Sequence, residues 1–293
     1  MIIETVPNFS EGQNQETLEA ISASFTGAGA RLLDYSGDVD HNRSVFTAAG
    51  TDAQIEAALL AAIETARDRI DLRTHQGEHP RVGAADVVPL IPIDGVTVSE
   101  CVTLARKIGG RIWSELGIPV YLYESAATRP HCKNLADVRK GGFEGLAGKM
   151  QDPMWKPDFG DCRPHPSAGV VVLGVRKPLI AYNFLLDTED IGVARKISGK
   201  IRERDGGLPC VKALGMMLKG KGAQVSVNLT DYEVTGLYEV YTAVALEAAA
   251  LGARVVSSEL IGLVPERALA DAAGKFLKME NYSFDKVLEK RLS

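Results

Sequence analysis

Apolar side chains recur along this chain with two periods, and the switches between them predict its elements. Residues 2–7 read as a strand, and Asn8-Phe9-Ser10-Glu11-Gly12 as a polar turn. Asn14 is placed to cap a helix that carries Leu18, Ile21, Phe25 and Ala28 on one face, and Gly27 and Gly29 help end it. Strands follow at 30–35 and 42–49, around the acidic loop 34–41. Thr51 with Gln54, and Thr97 with Glu100, have capping-box spacing. They open helices with Ile55, Leu59, Ile63 and Ile70, and with Cys101, Leu104, Ala105, Ile108, Ile112 and Leu116, on their apolar faces. Between these helices lies a histidine-containing loop and a strand running to Ile93. The pair Gly109-Gly110 weakens the second helix or marks a close contact.

After a strand at 119–124 the periodicity is lost. Residues 125–165 mix Pro, Gly and charge, with one helical patch at Leu135 to Arg139, and read as an irregular insertion over the surface. Loops of that length are usually functional. A buried strand at 168–174 follows, and Arg176-Lys177-Pro178 reads as a domain boundary. The second part starts with a strand at 179–186. Asp187 and Thr188 are cap candidates for a helix bearing Ile191, Ala194, Ile197 and Ile201. Strands at 211–218 and 224–229 form a hairpin across Lys219-Gly220-Lys221-Gly222-Ala223. The second alternates, with Val225, Val227 and Leu229 on one face and Gln224, Ser226 and Asn228 on the other. A helix with Leu237, Val240, Val244, Ala248 and Leu251, a strand at 254–259 and a helix opened by Pro265 complete it. Each part therefore begins strand–helix–strand–strand–helix–strand, the ferredoxin-like order. The fold expected is α+β, with two ferredoxin-like (βαββαβ) subdomains at 1–177 and 178–293.

Composition narrows the function. The 293 residues are 45% hydrophobic, enough for a sizeable core. A net charge of −5 argues against a general nucleic-acid binder. The four cysteines form no Cys-x-x-Cys pair, which fits a reducing cytoplasm. The start of the chain lacks a signal-peptide pattern, and no apolar run is long enough for a bilayer, so no membrane partner is expected.

The chemistry concentrates early, since all five histidines fall between positions 41 and 165. His75-Gln76-Gly77-Glu78-His79-Pro80-Arg81-Val82-Gly83 holds two of them. Pro80 pushes His79 toward an extended conformation, on a loop feeding a strand. With Glu78, Arg81 and Asp86 near it in sequence, His79 is a candidate general base. His75 and His79, with Asp86 or His41, are a candidate zinc set for a hydrolase. Cys132 beside His131, and Cys162, are candidate nucleophiles, although structural cysteines fit them as well. No dinucleotide or phosphate-loop glycine motif is present, and the Lys219–Gly222 stretch reads as a solvated turn. Arg129, Lys133, Arg139, Lys140, Arg163, Arg176 and Lys177 either attract a polyanionic tail or form a solvated charged surface.

Several stretches in order carry a resemblance. They are Val6-Pro7-Asn8-Phe9-Ser10-Glu11-Gly12, Leu32-Leu33-Asp34, Asn42-Arg43-Ser44-Val45 and Gly77-Glu78-His79-Pro80-Arg81-Val82-Gly83-Ala84. Further on are Val120-Tyr121-Leu122-Tyr123, Trp155-Lys156-Pro157-Asp158-Phe159-Gly160, Val225-Ser226-Val227-Asn228-Leu229 and Leu260-Ile261-Gly262-Leu263-Val264-Pro265. Together they resemble the glutamate formimidoyltransferase (formiminotransferase) family over nearly the whole chain. The resemblance implies transfer of a formimino group from N-formimino-L-glutamate to tetrahydrofolate, in histidine breakdown. Tetrahydrofolate is then a co-substrate, held in a groove between two α+β subdomains, and no metal is expected. The catalytic residue it implies is His79. The folate-lining segment it implies is Gly160, Asp161, Cys162, Arg163, Pro164, His165, Pro166, Ser167, Ala168 and Gly169. It also implies a homodimer. Vertebrate relatives fuse this unit to a cyclodeaminase, so a separate cyclodeaminase is expected here. The loop 34–41 and the segment 161–168 differ in residue type from vertebrate versions. That leaves formyl transfer from N-formylglutamate open beside formimino transfer, and a non-catalytic folate-binding module is the alternative of a different class. Asp34, Asp38 and Asp40 are candidates to polarise the donor amidinium.

Overall fold

The structure is a computed structural model that describes residues 1–39, 41–77, 80–218 and 220–292, with no side chains described at 291 and 292. It is a mixed α+β chain in two compact units, Met1–Arg176 and Lys177–Ser293. No helix among the described residues is long and apolar enough to cross a membrane.

The first unit opens with β1 (Ile2–Thr5) and β2 (Asn8–Phe9), then α1 (Gln15–Gly27), β3 (Arg31–Asp38), β4 (Arg43–Gly50) and α2 (Asp52–Arg69). It continues with β5 (Ala85–Asp94), α3 (Val98–Arg111), β6 (Val120–Glu124), α4 (Leu135–Arg139), α5 (Gly142–Lys149) and β7 (Val171–Val175). Both β1 and β2 pair antiparallel with β4 and β5 and so share one lane of the sheet. Outward from that lane, β3 lies beyond β4, while β7 and then β6 lie parallel beyond β5. The turn expected at 8–12 is thus corrected: Asn8 and Phe9 are strand. Pro7 has no N–H to give the ladder, yet its carbonyl accepts from Phe46 N at 3.0 Å, and the fully buried Phe9 pairs with Ser44. Both capping boxes form as read, at Thr51 and Thr97. Gly109 marks a close contact, because a Cβ there would meet the Phe159 ring at 2.8 Å.

The insertion is more ordered than its sequence suggests. Besides α4 it contains α5, despite Gly142, Gly145 and Gly148, which disfavour helix. Tertiary packing outweighs that propensity. Leu146 and Met150, with Val138 and Cys132, bury against Val87, Tyr121, Tyr123 and Val172. The insertion therefore covers one face of β5, β7 and β6, while the larger apolar cluster fills the other face under α1, α2 and α3.

The second unit contains β8 (Ile180–Leu186), α6 (Ile191–Ile201), β9 (Val211–Leu218), β10 (Gly222–Leu229), α7 (Leu237–Ala250), β11 (Val255–Ile261) and α8 (Glu266–Phe276). Its sheet is antiparallel, in the order β11-β8-β10-β9. Val225, Val227 and Leu229 point into the core, as their alternation predicts. The cap of α6 is corrected. Asp190, not Asp187 or Thr188, accepts from Gly192 N at 2.7 Å, while Asp187 accepts from Arg254 N and Nε at 2.6 and 2.9 Å.

Candidate active site

The most deeply buried charge in the first unit lies at a break in register. Asn8 pairs with Val87 and Phe9 with Ala85, so β5 bulges at Asp86. A bulge re-aims a side chain. Here the wholly buried Asp86 carboxylate accepts from Arg43 Nη1 at 2.8 Å and Arg139 Nη2 at 2.5 Å through one oxygen. Its other oxygen accepts from Val82 N at 2.8 Å. Burial works to raise the Asp86 pKa, but Arg139 and Arg43 outweigh it and hold the carboxyl below its ordinary value. Arg43 is oriented a second time by Asn8 Oδ1, which accepts from its Nε at 3.1 Å and Nη2 at 2.8 Å.

Val82 is also the end of the histidine loop. Glu78 and His79, the candidate base, lie outside the described residues; the segments on either side of them are fixed. His75 Nε2 donates to Asn42 O at 3.0 Å, and its Nδ1 accepts from Arg81 Nε at 3.0 Å. Both ring nitrogens are engaged, which leaves His75 no lone pair for a metal. Among the described residues no group of three or more His, Cys, Asp or Glu is placed to hold one. Arg81 also forms a two-pronged pair with Glu144 of α5, at 2.9 and 3.2 Å, and lowers that carboxyl's pKa. Asn42, at φ +46°, accepts from Gly12 N at 3.0 Å and donates to Gln76 O at 2.9 Å. Ser10 donates to Ala84 O and, through its hydroxyl, to Gly83 O, both at 2.8 Å. Asn8, Ser10 and Gly12 of the opening motif thus hold Arg43, the Gly83–Ala84 end of the histidine loop and Asn42.

The candidate folate-lining segment meets the same loop. Ala84 N donates to Ala168 O at 3.0 Å, Val170 N to Val82 O at 3.0 Å and Leu72 N to Ser167 O at 2.9 Å. The approach is so close that only glycine fits twice. A Cβ on Gly83 would sit 2.0 Å from Val170 O, and one on Gly169 would sit 2.1 Å from Val82 O. His165 pairs with Gly169 across a tight turn, N to O at 2.8 Å and O to N at 3.0 Å. Its Nδ1 accepts from Ala168 N at 3.0 Å, so the ring hydrogen sits on Nε2. Burial, then Arg67, pushes its pKa below the usual histidine value. Gly160, at φ +103°, packs on Trp113 and Pro119. Asp161 and Arg163 are exposed, Pro164 and Pro166 line the turn, and Cys162 O accepts from Gln151 Nε2 at 3.1 Å.

Other candidates separate. Asp34 and Asp38 lie on β3 opposite Thr47 and Arg43, and Ser36 lies opposite Val45. Phe46 and Ala48 point into the core, so alternation puts Asp34, Ser36 and Asp38 on Arg43's face. Asp38 pairs with His41 at 2.9 Å, and Asp40 lies outside the described residues. His131 stacks edge-on to Trp155 at 4.6 Å, and the fully buried Cys132 is pushed up in pKa by burial, so this pair is packing rather than a nucleophile. Of the seven basic residues, Arg129 is tied to Asp158 at 3.0 Å and Arg139 to Asp86. Sequence reasoning missed Asn8, Asn42, Arg43 and Glu144 as parts of one network. The signal for the first three was their membership of the motifs.

The description "Formiminotransferase domain, N-terminal subdomain" matches residues 2–176, and "Formiminotransferase domain" matches residues 181–291. This chain belongs to the formiminotransferase family. It is 46% identical to "Glutamate formimidoyltransferase" of Streptococcus pyogenes serotype M1, over 99% of this chain and 98% of that protein. It is 42% identical to the protein of the same name from Thermoplasma acidophilum, over 99% of this chain and 97% of that one. "Formimidoyltransferase-cyclodeaminase" of Rattus norvegicus is 43% identical over 95% of this chain, which spans 53% of that protein.

Proposed function

We propose that this formiminotransferase moves the formimino group from N-formimino-L-glutamate to tetrahydrofolate, giving 5-formiminotetrahydrofolate and L-glutamate, a step of histidine breakdown. The observation that carries the reading is 46% identity, from end to end, to a glutamate formimidoyltransferase. On this reading residues 1–177 and 178–293 are the two formiminotransferase subdomains, both ferredoxin-like, and the first carries the base. A cytoplasmic homodimer goes with it.

His79 is the general base, and 160–169 line the folate. What supports both is the hydrogen-bonded seam that joins the flanks of the histidine loop to residues 167–170. The N5 amine of tetrahydrofolate attacks the amidine carbon of the donor and forms a tetrahedral carbon. His79 takes the N5 proton and returns it to the departing glutamate nitrogen, so one C–N bond forms, one breaks, and the proton count closes. Holding both amines side by side supplies much of the acceleration. An absorbance assay with tetrahydrofolate and formiminoglutamate tests the activity, with N-formylglutamate as the second donor. His79→Ala lowers turnover by about a hundredfold or more while folate still binds. Near-normal turnover of the folded variant refutes the base assignment.

A further inference from the structure

The Arg43–Asp86–Arg139 group carries one more positive charge than negative. Its guanidiniums are largely out of water, with side-chain exposures of 11% for Arg43 and 13% for Arg139. Arg43's own pKa is lowered, by burial first and in part by Arg139. Arg139 Nε is buried and has no hydrogen-bond partner among the described residues. A buried guanidinium with an unmet donor costs stability unless an anion completes it.

The position of Arg139 is built. It sits on α4, whose Asn134 cap accepts from Ala136 N at 3.2 Å. Lys149 Nζ donates to the carbonyls of Asp137, Val138 and Lys140, at 2.6, 2.8 and 3.3 Å, and fixes the turn that presents Arg139. Through Asp86 and Val82 N the group is one residue from Arg81, on the loop that carries the candidate base. Across the sheet, Asp34 and Asp38 lie on the same face as Arg43. One face therefore offers both guanidiniums and carboxylates, with Asp38 directly opposite Arg43 on the neighbouring strand. N-formimino-L-glutamate has the matching pattern, two carboxylates and an amidinium.

We propose that Arg139, backed by Arg43, is a carboxylate-binding subsite of this active site. The carboxylate comes from the glutamate donor or from the glutamyl tail of the folate. This assignment rests on the activity proposed above, but its main test does not need turnover.

Calorimetric titration of the whole protein with L-glutamate, the product, compares wild type with Arg139→Lys and Arg139→Gln. Lysine keeps a charge beside Asp86 but loses the planar fork that grips a carboxylate. L-glutamate binding weakens about tenfold or more in both variants, in line with loss of a charge-assisted bond. In steady state the KM for formiminoglutamate rises by a similar factor, with kcat and the KM for tetrahydrofolate little changed. Weakening seen with tetrahydrofolate but absent with a tetrahydropterin lacking the tail, and absent with L-glutamate, assigns the carboxylate to the folate. Unchanged binding of all three overturns the proposal. So does a lowered thermal midpoint with unchanged L-glutamate binding, which would make Arg139 a clamp for Asp86 alone. If mixed substrates release no glutamate, the activity reading fails while the titration still decides the subsite.

Discussion

The two units break register at the same place and put opposite residues there. In each, the start of the last strand of the β-α-β-β-α-β run bulges against the end of its first. In the first unit the skipped residue is Asp86, with Asn8 opposite Val87 and Phe9 opposite Ala85. In the second it is Val256, with Leu186 opposite Val255 and Leu185 opposite Ser257. Asp86 is fully buried between two arginines, whereas Val256 is 61% exposed. The frame is common, and the chemistry was placed on it in one unit. A bulge tolerates either residue; the insertion that supplies Arg139 is what makes an aspartate worth burying.

The largest effect expected is at that bulge. Asp86→Asn leaves two buried guanidiniums without their anion and costs about 3–5 kcal/mol, read by urea unfolding. Val256→Ala, its counterpart, stays within about 0.5 kcal/mol. Equal effects would mean the bulge, not the ion cluster, matters. The pH dependence sharpens the point. The Asp86 carboxyl lies below its unfolded value in the folded chain, so the unfolded state binds the proton more readily. Its contribution is full above the ordinary carboxylate range and is lost as pH falls through the folded value. The stability gap between wild type and Asp86→Asn therefore closes on acidification.

A smaller effect separates steric from conformational demands on glycine. Gly169 has φ +68° and a carbonyl 2.1 Å from where a Cβ would lie. Gly206, in the second unit, has φ +87° with nothing among the described residues within 4 Å of where a Cβ would lie. Gly206→Ala meets only the left-handed backbone cost, about 1–2 kcal/mol. Gly169→Ala adds roughly 1–3 kcal/mol of overpacking and parts the seam beside the histidine loop, so turnover falls with stability. Thermal unfolding and the two-substrate assay on both variants give the ordering.

Much of the frame was legible because its signals are local. The boxes at Thr51 and Thr97 and the alternation through Val225, Val227 and Leu229 each lie within a few residues, and each stands as read. The bulge was not legible, since 85–93 is an almost unbroken apolar run in which Asp86 looks like an interruption. Nor was α5, whose glycines are outvoted by Leu146 and Met150 in the packed cluster. The site needed distance. His75 and His165 are ninety residues apart, and nothing in their own neighbourhoods says that Val82 and Val170 touch. Arg139 looked like any of seven surface cations; its pairing with the wholly buried Asp86 distinguishes it.

The mildest test returns to capping, where the units also differ. In the first unit Thr97 Oγ1 accepts from Glu100 N at 3.2 Å and donates to Glu100 Oε2 at 2.7 Å. In the second, α7 starts at Gly236, which has no side chain to cap with, although Glu239 stands at the third helical position. Among the described residues Glu239 Oε2 is buried without a side-chain hydrogen-bond partner, 3.0 Å from where a Cβ on Gly236 would lie. Gly236 is extended, at φ −88° and ψ 178°, so a serine fits its backbone. Gly236→Ser would complete the box, with its hydroxyl accepting from Glu239 N and donating to the orphaned oxygen. Serine exceeds glycine at a cap by only a few tenths of a kcal/mol, and satisfying a buried acceptor adds up to about 1 kcal/mol. A gain near that sum in urea unfolding, with unchanged turnover, is expected. A loss would mean that Glu239 cannot yield the few tenths of an ångström the new side chain needs.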